Sequence, residues 1–243
     1  MKSLIRALTL ICIGPLLATS ATDSPGAEAA RNWRQANEQL IVDQFAELLR
    51  LPNVASNPED IRANARHIVG LFGDAGLDAR ILEAEGSNPA VYAERMAPGA
   101  NTTVMIYIHY DGQPVNPSDW ASDPWQPVMR DAMVEAGGTQ RPMAAPFDPE
   151  WRIFARSAGD DKAPIIALVS ALKALDAAGM SPGVNLKVFL DGEEEAGSPG
   201  LRSMLETHKA LLASDLWLFC DGPMHQSRRP HLVYGVRGAY GFN

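Results

Sequence analysis

The hydrophobic positions follow two regimes along the chain. Between residues 36 and 51, Leu40, Ile41, Phe45, Leu48 and Leu49 recur at three- and four-residue steps, the spacing of one helix face. Residues 58–75 repeat the pattern with Ile61, Ala65, Ile68, Val69 and Phe72, and Gly76 stops it. Beyond that point, short apolar runs alternate with helical stretches. Residues 79–82 and 90–93 read as short strands, and the fully apolar 104–108, 186–190 and 216–219 as three more. Residues 164–178 and 201–212 read as helices; Asp160 and Asp161 precede the first of these, Pro164 suits its first turn and Gly179 closes it. This rhythm predicts an α/β fold, a largely parallel mixed sheet flanked by helices on both faces. Residues 112–150, crowded with proline, tryptophan and glycine, read as a long functional loop.

Composition narrows the choices. At 243 residues and 46% hydrophobic, the chain can build a sizeable core. A formal net charge of -8 argues against nucleic acid or an anionic membrane surface as partner. Residues 1–21 carry Lys2 and Arg6, an apolar run over 7–18, then Thr19, Ser20 and Ala21. That is the layout of a signal peptide, so a secreted or periplasmic protein is expected, with no membrane association after cleavage. Cleavage would remove Cys12 and leave Cys220 alone, without an intrachain disulfide. Because Cys220 ends an apolar run, it is expected to be a buried structural thiol. Residues 22–35 read as a linker.

The chemistry gathers at strand ends. The run 104–108 leads into His109-Tyr110-Asp111, the run 186–190 into Asp191-Gly192-Glu193-Glu194-Glu195, and the run 216–220 into Asp221. Ile153-Phe154 leads into Asp160-Asp161-Lys162 at a helix start. Ligands of open α/β sheets bind outside the carboxyl ends of parallel strands, so these groups are expected on one rim. Several carboxylates cannot share a small site as bare anions, and divalent cations relieve the repulsion. One imidazole among oxygen ligands suits zinc, with manganese or cobalt as substitutes. A single acidic residue at a strand end usually caps a helix or faces water; four such endings weaken that reading.

His109-x-Asp111, Asp160-Asp161-Lys162, Glu194-Glu195-x-Gly197-Ser198 and Asp221-Gly222-Pro223 stand in an order that resembles a family of dinuclear zinc metallopeptidases. The family includes carnosine-type dipeptidases, acetylornithine deacetylase, succinyl-diaminopimelate desuccinylase, aminoacylase and glutamate carboxypeptidase. The resemblance spans residues 36–243 and implies two Zn2+ ions. It makes His109, Asp160, Glu195 and Asp221 metal ligands, with Asp160 bridging the two metals. Asp111 resembles the carboxylate that orients His109, and Glu194 the general base.

The family's Gly-Arg-Gly is replaced here by Ala155-Arg156-Ser157, Ala163 stands for a glycine, and part of 127–150 reads as an insertion. Arg237-Gly238 matches the pair after which relatives enter a lid or dimerisation domain, then return to supply a last histidine ligand. This chain stops at Asn243 and is expected to be a fragment or truncated product. His225 and His231 do not read as substitutes for that ligand. A homodimer is implied only where the lid is present. The implied substrates are dipeptides or small peptides, toward which Asp221 and the run His109 to Pro114 lean. An N-acyl amino acid deacylase of the same family and a non-catalytic secreted peptide- or metal-binding remnant are the alternatives.

Overall fold

The computed structural model describes residues 24–222, Ser227 and residues 232–235. The expected leader over 1–21, His225, His231 and Arg237-Gly238 lie outside the described residues. No helix among those described is long and apolar enough to cross a membrane.

Helices α1 (Pro25–Ala36), α2 (Glu38–Leu49) and α3 (Pro58–Asp74) lead into strands β1 (Asp78–Leu82), β2 (Ala90–Arg95) and β3 (Thr103–His109). Short strands β4 (Val128–Arg130), β5 (Gln140–Arg141) and β6 (Arg152–Phe154) precede α4 (Lys162–Ala177), and β7 (Asn185–Asp191), α5 (Leu201–Thr207) and β8 (Leu216–Phe219) follow. The main sheet runs β1-β2-β7-β3-β8. β3 lies parallel to both β7 and β8, while β2 is antiparallel to both β1 and β7. The sheet is therefore mixed, with a parallel half that carries the polar strand endings.

Local chemistry explains the helix starts. Asn57 accepts from the Glu59 and Asp60 amides, and Pro58 fits the first turn of α3. Ile61, Ala65, Ile68 and Phe72 then pack with residues of α2 and α4 against Val91, Ile108, Val188 and Leu190 of the sheet. On the opposite face Tyr92, Met105, Tyr107 and Phe189 meet Met204 of α5 and Leu212. Burial on both faces is why β3 and β7 read as continuous apolar runs.

Three expectations are corrected. The segment read as a linker is helical from Pro25: Ser24 accepts from the Ala27 amide, Pro25 takes the first turn, and the alanine-rich α1 packs against α4. The loop over 112–150 holds β4 and β5, which with β6 form a second, antiparallel sheet in the order β5-β4-β6. Cys220 is exposed rather than buried, because β8 is the edge strand of the described sheet, with Leu216, Leu218 and Phe219 exposed.

Candidate metal centre

Parallel register brings the strand endings together. His109 and Asp191 are partners across β3 and β7, and Tyr110 donates its amide to the Asp191 carbonyl at 2.9 Å. β8 pairs with β3 on the other side, and the Cys220 amide bonds the Tyr107 carbonyl at 2.9 Å. Asp221 is thereby carried to the same rim. α4 begins at Lys162, so Asp160 and Asp161 precede its first turn.

His109 is buried, and its Nε2 lies 2.8 Å from Asp160 Oδ1 and 3.9 Å from Asp221 Oδ2. One ligand atom from each of the three residues falls within 4.8 Å of the others. Burial resists protonation of the imidazole, but Asp111, Asp161 and Asp160 outweigh it and lift His109 to about 10. An imidazole nitrogen and two carboxylate oxygens converging in an acidic setting fit a divalent metal.

Asp111 is fully buried, and its two oxygens accept the amides of Glu194 and Glu195, each at 3.0 Å. His109 Nδ1 approaches Asp111 Oδ1 at 3.3 Å but off the line of a hydrogen bond. The carboxylate thus lies beside the ring, while its aligned bonds hold the Glu194–Glu195 turn. Burial raises the Glu194 carboxyl, with Asp221, Glu195 and Asp111 adding to the rise and His109 opposing it. Glu195 accepts from Gln113 Nε2 at 2.5 Å and stands outside the three-residue cluster.

Residues that the sequence reading left without a role complete the setting. Asp161 is 2% exposed; burial lifts its carboxyl to about 8, and it accepts the His109 amide at 3.4 Å. Lys162 is fully buried and donates to the Leu48 and Leu51 carbonyls, each at 2.9 Å, while burial lowers its ammonium to about 7. The Asn53 side chain donates to the Tyr110 carbonyl at 2.6 Å and to Ser157 Oγ at 3.0 Å, and its backbone carbonyl accepts the Gly112 amide at 2.9 Å. A side chain at Gly112 would collide with Ser157, so this glycine lets the two loops close on each other.

An α/β sheet with an imidazole and carboxylates converging on the carboxyl rim of its parallel strands is the frame of a candidate metal site. Residues 105–236 match Peptidase family M20/M25/M40, and the chain belongs to that family. It is 32% identical over 173 residues to the Cys-Gly metallodipeptidase dug1 of Schizosaccharomyces pombe, a match covering 70% of this chain and 30% of that protein. It is 30% identical over 153 residues to the Beta-Ala-His dipeptidase of Homo sapiens, covering 62% and 26%. Among solved structures, an M20 family metallo-carboxypeptidase, Sso-CP2 from Sulfolobus solfataricus, aligns with a TM-score of 0.63 at 28% identity, covering 78% of this chain and 39% of that one. Human carnosine dipeptidase 1 shares the fold with a TM-score of 0.65 at 20% identity, covering 80% and 41%. The chain spans less than half the length of each of these relatives.

Proposed function

We propose that this protein is a metal-dependent hydrolase that cleaves the amide bond of dipeptides or small peptides with a water molecule. The observation that carries the reading is the convergence of His109, Asp160 and Asp221 within 4.8 Å at the carboxyl ends of parallel strands, inside the span that matches the peptidase family. The dipeptidase relatives support dipeptides over N-acyl amino acids as substrates.

A divalent cation held there would lower the pKa of a water molecule to about 7 and polarise the amide carbonyl. His109, Asp160 and Asp221 would hold such an ion, and Glu195 would serve a second beside Asp160; zinc is the proposed metal, with manganese or cobalt as substitutes. Glu194, whose carboxyl is raised by burial, accepts a proton from the attacking water as oxygen adds to the carbonyl carbon. It returns that proton to the amide nitrogen as the C–N bond breaks, leaving a carboxylic acid and an amine, and the acid's own proton then passes to solvent or to the amine. Asp111 keeps His109 and the Glu194–Glu195 turn in fixed relation. The leader over 1–21 supports export as the setting of this activity.

The test compares dipeptides, including Cys-Gly and β-Ala-His, with N-acetyl and N-succinyl amino acids, using protein purified from its natural host with and without added zinc. Zinc-dependent release of free amino acids from dipeptides is expected. Metal binding without turnover of any substrate would instead identify a non-catalytic binding protein.

A further inference from the structure

The run Asp191-Gly192-Glu193-Glu194-Glu195 holds four carboxylates, and the proposed reaction uses two of them. Glu193 is 4% exposed, yet its hydrogen-bond partners are neutral donors. Its Oε2 accepts the Asn88 amide at 2.9 Å and its Oε1 the Gly200 amide at 2.6 Å, while the Ser87 hydroxyl, 3.5 Å from Oε1, donates to the Asn88 carbonyl at 2.7 Å. Ser87 and Asn88 belong to the β1–β2 connection, whereas Gly200 caps α5. One carboxylate therefore ties the β1–β2 connection, about a hundred residues away in sequence, to the start of α5, seven residues on.

The surrounding backbone is packed to match. A Cβ at Gly200 would run into Ser87 and lie 2.7 Å from Glu193 Oε1. A Cβ at Gly192 would lie 2.6 Å from the Tyr110 hydroxyl and 2.7 Å from the Pro89 carbonyl. Asn88 Nδ2 adds a bond to the Gly192 carbonyl at 3.4 Å. Burying a carboxylate is costly unless its oxygens are satisfied, and here two backbone amides, one on each oxygen, satisfy them. The adjacent Glu194 and Glu195 amides are bound in turn by Asp111.

From these contacts we infer that Glu193 is a positioning residue, which clamps the Glu194–Glu195 turn against the β1–β2 connection and the start of α5. The immobilisation follows from the contacts alone. Its consequence for catalysis rests on the metal-dependent hydrolase reading of Glu194 and Glu195.

Glutamine at this position turns an amide donor toward one of two N–H groups that need an acceptor. Glu193→Gln is therefore placed in the full chain, expressed in its natural host, and compared with wild type by hydrogen exchange and steady-state kinetics. Exchange over residues 192–200 is expected to rise about tenfold or more, with protection of β3 and β7 kept. kcat is expected to fall roughly 10–100-fold, as for groups that orient a metal site, with KM near the wild-type value. Unchanged exchange over 192–200 overturns the inference; so does a loss of protection spread evenly through β3 and β7, which marks general support of the fold. If Glu193→Gln does not fold, Glu193→Asp, which keeps the charge but falls one methylene short, is read by the same two measurements. A wild-type protein without turnover sinks the hydrolase reading, while the exchange result still decides the clamp.

Discussion

Two sets of carboxylates meet at the rim, and the fold treats them in opposite ways. The Asp160 and Asp221 side chains are 69% and 37% exposed and converge on one imidazole nitrogen. Asp111, Asp191 and Glu193 are buried, with their oxygens committed to backbone amides and hydroxyls. A carboxylate already saturated by internal donors has little left to offer a cation, whereas one that faces water beside other anions gains most from it. The same residue type thus builds the scaffold at one position and is available for the metal a few positions away.

Glu194 stands between the sets, held by its backbone but with its carboxyl raised and half-buried, and its replacement has the largest expected effect. Glu194→Gln should lower turnover of a dipeptide by roughly 10²–10⁴-fold while metal content stays at the wild-type level. Steady-state rates and metal analysis of the same sample check this. Loss of metal together with activity would move Glu194 into the exposed, ligating set.

Next come the exposed pair. Asp160→Asn or Asp221→Asn should weaken zinc binding by at least about 100-fold, the upper end of what residues that merely orient a ligand cost. Without metal, thermal stability should change little, because both side chains are partly exposed and relief of carboxylate repulsion is offset by loss of an anion beside His109. Chelator competition and metal-free melting curves measure the two effects. For the buried set the order reverses. Asp191 accepts from Ser198 Oγ at 2.7 Å, the Glu193 amide at 3.1 Å and the Tyr107 hydroxyl at 3.3 Å. Asp191→Ala should cost about 2 kcal/mol by urea unfolding, since it strands buried donors. A stability unchanged by Asp191→Ala, with zinc affinity lost, would dissolve the distinction between the sets.

The sequence makes this division only half readable. The strands were visible because β3 and β7 are buried on both faces and so are apolar throughout, and each ends in an abrupt polar change. Asp160 follows β6 of the second sheet and reaches the rim through the start of α4, but His109 and Asp221 could be placed on one rim from such changes at strand ends. Which carboxylates turn inward could not, because Asp160 and Asp161 are identical in type and Glu193 finds its partners Ser87 and Asn88 more than a hundred residues away. The same limit explains α1, whose helix depends on the Ser24 cap and contact with α4, and Cys220, whose exposure follows from its place at the edge of the sheet.

The smallest expected effect separates titration of the rim from titration of the core. His67 lies on α3, and its Nε2 is buried without a hydrogen-bond partner. Burial lowers its pKa, the Lys162 ammonium adds to the drop, and Glu47 opposes it. A histidine whose folded pKa is depressed stays neutral in the folded state, while the unfolded chain takes up the proton near pH 6.5. Its contribution to stability is therefore complete above about pH 6.5 and is lost as the pH falls from there toward the folded value. The wild-type melting temperature should drop by a few degrees over that interval, and His67→Leu should flatten the slope. Because His67 is outside the cluster of His109, Asp160 and Asp221, the difference between the wild-type and His67→Leu slopes should be the same with and without zinc. A difference that vanished on adding zinc would mean that protonation in the core and at the rim is coupled, and the two regions could no longer be treated as separate.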